Sequence, residues 1–210
     1  MKTFPHALLI GNGPDVSPRL LRTLARQADF ILAADGGANI AQKANVRPHT
    51  IIGDFDSVTT ATRRQFSTVQ WVFVDNQNNT DLQKALDFLL ARGYKTCTLV
   101  GFMGGRLDFT LGNALALLPY AKKMDLKMIG EGWQLFPVCS RRTFHAKVGA
   151  RVSLLPLTRC TDVCLTGFQF PLQKARLLPG TTRTLSNQVS RPQCTISLTR
   201  GTLLVYLETK

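Results

Sequence analysis

Two carboxylates stand two residues apart in "GDFDS", residues 53–57, with Ile51 and Ile52 before them and Val58 after. The apolar flanks read as a buried strand. In an extended segment alternate side chains point the same way, so Asp54 and Asp56 share one side. Such a pair suits Mg2+, a hard cation that takes oxygen ligands, keeps several waters and binds substrate phosphates as well. Gly53 permits close backbone approach, and Ser57 is placed to cap the next segment of chain. The plainer alternative is an Asx-turn in which one Asp only caps the chain.

Three further stretches carry chemistry. In "DNQNNTDLQKAL" Thr80 and Gln83 make a capping box, so a helix starts at Asp81. Leu82, Ala85, Leu86 and Leu89 form its buried stripe, and Gly93 ends it. Asp81 and Lys84 lie off that stripe at the first turn. Asp81 alone is simply favourable to the helix dipole, whereas Lys84 is a cation where the dipole disfavours one and could serve a phosphate. Gln77, Asn78 and Asn79 add neutral hydrogen-bonding groups. In "GFMGGRLDFTLGNAL" three glycines thin a strand-to-helix turn, and Arg106 and Asp108 come next. Arg grips phosphate with two parallel bonds, and a glycine-lined helix start is an anion site. A local Arg106–Asp108 surface pair is the alternative. Leu111, Ala114, Leu115 and Leu118 are expected to form the buried face of the helix there. In "AADGGAN" Asp35 ends a strand and Asn39 opens a helix; "GNGP" at residues 11–14 is a generic turn suited to lie near a nucleotide phosphate. None of these is a Walker A loop or a G-x-G-x-x-G fingerprint.

These residues need a frame to bring them together. Up to about residue 134 near-continuous apolar runs ("ALLIGNG", "DFILAADGG", "HTIIGDFDS", "QWVFVDN", "KTCTLVGFMGG") alternate with helical stretches ("RLLRTLARQ", "TDLQKALDFLLARG", "TLGNALALLPYAKK"). That alternation predicts an α/β domain, a mostly parallel sheet flanked by helices. "LKMIGEGW" offers a sixth strand. Asp35, Asp54, Asp56, Asp75, Asp81 and Asp108 all fall where strands end and helices begin, the edge at which such sheets bind ligands. Acids converging there repel one another unless a cation is shared. From Gln134 onward only short β-like runs remain, which predicts an all-β sandwich or barrel. The expected domains are residues 1–135 and 136–210.

Composition narrows the class. The 210 residues have 44% hydrophobic content and a mean hydropathy of +0.01, as in ordinary soluble globular proteins. No apolar run approaches the roughly 18 residues of a membrane helix. "MKTFPHALLIGNG" reads as a first strand rather than a signal peptide, so a cytoplasmic chain is expected. Five cysteines, an odd number without zinc-finger spacing, fit reduced thiols. His6, His49 and His145 are scattered, with neither triad order nor metal spacing. The formal charge of +13 is uneven: 15 Lys+Arg against 11 Asp+Glu up to residue 135, and 11 against 2 beyond. A basic segment attracts polyanions, but it carries no nucleic-acid-binding motif, so nucleic acid is an unlikely partner.

The ordered set "ADGGAN", "IGDFDS", "TDLQKAL" and "GGRLDFTLGN", followed by "TGFQFPL" and "SNQ", resembles the thiamine pyrophosphokinase family over nearly the whole chain. The resemblance implies an α/β catalytic domain and a C-terminal β-sandwich in a homodimer, with the site shared across the interface. It implies transfer of the diphosphate of ATP to the hydroxyl of thiamine, releasing AMP, with Mg2+. Asp54, Asp56 and Asp81 would then hold metal and phosphate. Gln77, Lys84, Arg106 and Asp108 would hold phosphates or the transferring group, and Asp35 would lie on the nucleotide side. Phe170, Ser186 and Asn187 would contact thiamine. Either Asp54 or Asp108 would accept the hydroxyl proton. Three positions depart from the family pattern: Phe109 where His is frequent, Phe170 where Trp is usual, and Gln188 in place of Glu. The competing readings are another alcohol acceptor, a degenerate nucleotide- or thiamine-binding paralogue, and a basic nucleic-acid-binding protein.

Overall fold

Ala7, Leu8, Leu9 and Ile10 are wholly buried, which places the strand they form, β1 (His6–Ile10), in the middle of a sheet covered on both faces. The computed structural model of the chain describes residues 5–76 and 78–209. They divide into a unit of Met1–Ala116 with Lys123–Glu131 and a unit of Leu117–Lys122 with Gly132–Lys210.

The first unit runs β1, α1 (Pro18–Ala25), β2 (Phe30–Ala34), α2 (Gly37–Lys43), β3 (Thr50–Gly53), α3 (Thr60–Gln65), β4 (Gln70–Phe73), α4 (Asp81–Ala91), β5 (Thr96–Val100), α5 (Leu107–Leu115) and β6 (Asp125–Gly130). Its strands lie in the order β6-β5-β1-β2-β3-β4, and every pairing is parallel. Three of the helix starts are set by side-chain caps. Ser17 accepts from the Leu20 amide with Pro18 just inside α1, Thr59 accepts from Thr62, and Thr80 with Gln83 closes the expected capping box of α4. Leu82, Ala85, Leu86 and Leu89 are buried as the period requires.

The structure departs from the sequence expectation at two places. Strand β3 stops at Gly53, so Asp54 and Asp56 do not share a strand face, and Val58 is buried from a loop rather than a strand. The cause is Phe55, which turns the chain at φ 67 and places its ring in the core, edge-on to Trp71 with centroids 4.9 Å apart. Helix α5 begins three residues before the expected "TLGNALALLPYAKK" stretch and ends at Leu115, well short of its end. Its expected buried face is also reversed: Leu111 and Leu115 are each 57% exposed, while Asn113 is buried and donates its Nδ2 to the Phe102 carbonyl at 2.7 Å. The leucine period is helical, but the helix docks through an amide, and Leu107, Leu111 and Leu115 remain uncovered. Helix α3 and the strand Leu172–Leu177 add to the elements expected from the apolar pattern.

The second unit contains β7 (Trp133–Val138), β8 (Arg141–His145), β9 (Arg151–Pro156), β10 (Cys160–Thr166), β11 (Leu172–Leu177), β12 (Asn187–Gln188), β13 (Gln193–Ser197) and β14 (Leu203–Glu208). Antiparallel strands in the orders β12-β9-β14-β7 and β11-β10-β13-β8 enclose one core that includes Phe136, Val152, Leu154, Val163, Ile196 and Val205. It is a β-sandwich. All five cysteines are free, and burial pushes the Cys97, Cys160 and Cys194 thiols up, as expected of small hydrophobes that stay protonated.

The start of α2 lies directly against the end of β1. A methyl group on Gly37 would therefore strike the carbonyl of Ile10. Gly37→Ala is expected to lose about 1–3 kcal/mol or more, as overpacked cores do. Urea unfolding of purified protein checks this; an unchanged midpoint would contradict the close approach.

Candidate active site

The strand order reverses at β1, which pairs with β2 on one side and β5 on the other. The loops after β1 and β5 therefore diverge and leave a crevice at the carboxyl ends of the strands. A cleft of about 460 Å³ occupies it, lined by the loops after β1, β2, β3 and β5 and by the start of α4. Its floor is backbone: the Gly11 amide donates to the Val100 carbonyl at 2.8 Å and the Gly13 amide to Gly101 at 2.6 Å. A Cβ on Gly11 would meet the Gly101 carbonyl, so this floor admits no side chain.

Acids line the opposite side. Asp35, Asp54 and Asp56 each offer a carboxylate oxygen, and these atoms all lie within 4.8 Å of one another. Asp35 ends β2 at φ 43, is 4% exposed, and its Oδ1 has no hydrogen-bond partner among the described residues. Asp54 is half-buried and Asp56 exposed; the Asp56 amide donates to Asp54 Oδ1 at 3.3 Å and Ser57 Oγ to Asp56 Oδ1 at 2.8 Å. Asp81 lines the same cleft from the first turn of α4. Burial pushes its carboxyl above the usual range; Lys84 opposes that shift, and Asp35 and Asp54 add to it.

Lys84 is buried, with its Nζ 3.3 Å from Asp81 Oδ1 and 4.0 Å from Asp54 Oδ2. It is thus an internal counter-charge to the acids, where the sequence suggests a phosphate ligand off the buried stripe. Arg106, at the rim, is engaged by Asp108 at 3.1 and 2.6 Å and lies 4.6 Å over the Phe109 ring. The guanidinium hydrogen bond holds the Asp108 carboxyl below its usual range. Arg106 lines the cleft; Asp108 does not, and neither does Asp75, so four of the six acids converge. Gln77 lies outside the described residues.

Two supports escape sequence reasoning. Asn39 reads there only as a helix opener, yet its Nδ2 donates to the Ser57 carbonyl at 2.8 Å and its Oδ1 accepts from the Thr59 amide at 3.1 Å, which pins the acidic loop to α2. Asn113 anchors the loop after β5 through Phe102. A lone amide within the otherwise apolar "LGNAL" is the available signal.

The second unit holds the remaining expected residues. Phe170 presents its ring to solvent at 60% exposure. Asn187 is buried, accepts from the Phe170 amide at 3.0 Å and the Gln188 amide at 2.8 Å, and donates to the Phe170 carbonyl at 2.8 Å. Its amide therefore fixes the backbone that carries Phe170. Ser186 sits at φ 57 with its amide donating to Ser153 Oγ at 3.0 Å.

Two family models match the chain: thiamin pyrophosphokinase, catalytic domain, over residues 21–129, and thiamin pyrophosphokinase, vitamin B1 binding domain, over residues 142–203. A thiamine pyrophosphokinase of Bacillus subtilis (strain 168) is 28% identical over 185 residues, 85% of this chain and 86% of that protein. Thiamine pyrophosphokinase 3 of Oryza sativa subsp. japonica is 24% identical, over 96% of this chain and 85% of its own length. The fold agrees with the crystal structure of the Bacillus subtilis thiamine pyrophosphokinase at a TM-score of 0.86 and 23% identity, covering 98% of this chain and 99% of that one. With the structure of thiamin pyrophosphokinase from Candida albicans the TM-score is 0.83 at 17% identity, over 99% and 90% of the two chains. With a catalytic and a vitamin-binding module matched in order along a single sequence, the chain belongs to the thiamin pyrophosphokinase family of enzymes.

Proposed function

We propose that the protein transfers the diphosphate of ATP to the hydroxyl of thiamine, giving thiamine diphosphate and AMP. The observation that carries this reading is the convergence of Asp35, Asp54 and Asp56 within 4.8 Å in a cleft of the part matched by the catalytic model. Carboxylates that close repel one another unless a cation is shared. The unpartnered, buried Oδ1 of Asp35 and the all-oxygen donor set fit a hard divalent ion such as Mg2+. Asp54 and Asp56 would hold it, with Asp35 or Asp81 completing the set. Bound there, it would neutralise phosphate charge and orient the polyphosphate.

The chain's own groups supply the rest. Phosphoryl-type transfer asks a protein chiefly for positioning and charge neutralisation. Arg106, at the rim, exchanges Asp108 for phosphate oxygens, and Lys84 sets a positive charge behind Asp54 and Asp81. Of the two carboxylates offered as proton acceptor, Asp54 lines the cleft, whereas Asp108 lies outside its lining with a lowered pKa; Asp54 takes the hydroxyl proton in this reading. Gln77 is kept as a phosphate contact. In the β-sandwich Phe170 offers a flat face for the thiamine ring, Ser186 a hydroxyl, and Asn187 the support beneath them. The working form is a homodimer, a reading supported by the uncovered Leu107, Leu111 and Leu115 stripe of α5. The free cysteines accord with a cytoplasmic setting. Among the described residues no helix is long and apolar enough to cross a membrane.

Three measurements check this reading. Asp56→Asn should slow AMP release with ATP, Mg2+ and thiamine by about 100- to 1000-fold, the usual cost of losing one transition-state stabilising group, with its circular dichroism unchanged. Near-normal turnover would remove the metal assignment. Lys84→Met should destabilise the fold more at pH 7 than at pH 3. The Asp81 pKa is raised on folding, so its contribution is most favourable while the carboxyl is protonated and is lost as pH climbs through the folded value. Taking away the lysine worsens the ionised state only. Equal shifts in urea midpoint at the two pH values would contradict that role. Leu111→Glu should convert a dimer to a monomer in sedimentation velocity, and a dimer that persists would move the interface elsewhere.

A further inference from the structure

Between the two acids of the "GDFDS" turn sits the one residue that must be held hardest. Phe55 adopts φ 67, a left-handed backbone that a bulky side chain takes only when its surroundings impose it. Its ring is buried, edge-on to Trp71 at 4.9 Å and tilted against Phe73 at 6.1 Å. Arg63, on α3, touches this residue in two ways. Its Nη2 donates to the Phe55 carbonyl at 2.5 Å, and its guanidinium lies 5.9 Å from the Phe55 ring centroid and 5.8 Å from that of Trp71. One planar cation therefore holds both the main chain and the side chain of the residue that separates Asp54 from Asp56. Arg63 lines no part of the cleft and forms no ion pair with the acids among the described residues.

We propose that Arg63 is a positioning residue: by clasping Phe55 from behind, it fixes the left-handed turn that brings the Asp54 and Asp56 carboxylates together for a divalent cation. If Phe55 relaxed toward an extended backbone, Asp54 and Asp56 would stand on one strand face roughly 7 Å apart, two residues at about 3.3–3.4 Å each, instead of offering oxygens within 4.8 Å of each other as they do across the turn. Lysine cannot replace the arginine fully, since an ammonium lacks the planar fork that reaches a carbonyl while stacking on two rings. The inference rests on the proposal that these acids share a divalent cation.

The test uses the whole protein and Mn2+ alone, with free Mn2+ counted by electron paramagnetic resonance, so that no turnover is needed. Arg63→Met should bind Mn2+ about 10-fold more weakly than the parent, the scale on which groups that orient metal ligands act; Arg63→Lys should fall between them. Arg92→Met is the control. Arg92 lies 3.6 Å over the Phe88 ring and lines no part of the cleft, so its loss removes a comparable cation–ring contact without touching the turn. Thermal unfolding of each variant gives the folded fraction. Arg63→Met binding Mn2+ as tightly as the parent, or no more weakly than Arg92→Met does, would overturn the proposal. If Arg63→Met does not fold, Arg63→Lys decides by the same comparison. Failure of the underlying reading looks different: Asp54→Asn would then bind Mn2+ as the parent does, or the parent itself would not bind it.

Discussion

Like charges crowded at the end of a parallel sheet are the constraint on which the first unit turns. Asp35, Asp54 and Asp56 approach within 4.8 Å, and Asp81 is close enough for Asp35 and Asp54 to raise its pKa. Unopposed, such like charges repel one another and strain the loops that carry them. The fold answers with Lys84, buried behind Asp54 and Asp81, and with a network that fixes the backbone of each acid. Asp35 is locked at the end of β2 by hydrogen bonds to Ile52 and Ala38, Asp54 and Asp56 by the Phe55 turn, and Asp81 by the capping box of α4. Of these carboxylate oxygens, Asp35 Oδ1 is the one buried without a hydrogen-bond partner among the described residues.

The β-sandwich uses the same device with neutral groups. Asn187 directs its side chain to the main chain of Phe170, so an exposed aromatic ring is carried on a rigid backbone. In the first unit the residue types that catch the eye in the sequence are presented by less conspicuous neighbours, Asn39, Arg63 and Asn113; in the second, Ser153 and Asn187, the latter itself an expected contact, do the same.

Much of the fold is legible in the sequence because its strongest signals are local. Apolar runs buried on both faces identify the parallel strands, and Thr80 with Gln83 marks the start of α4 within one residue. The placement of acids after strands foretells the edge at which a cleft lies. The differences arise where a tertiary contact overrides a period. An alternation rule puts Asp54 and Asp56 on one strand face, but the pull of the aromatic core on Phe55 bends the chain there, and the two acids meet across a turn instead. A leucine repeat puts α5 face down, but a single buried amide bond to Phe102 sets its rotation. Lys84 is expected off the buried stripe, where it could serve a phosphate; it is buried instead against Asp81, one turn before it, and Asp54, which only the folded chain brings near.

The cleft floor, where Gly11, Gly13 and Gly101 leave no room for side chains, has a further consequence. Peptide atoms do not change with the side chain, so the groups this floor presents are fixed by the backbone itself. What the cleft presents can vary only in its walls, at side chains such as Asn12, Arg106 and Phe109.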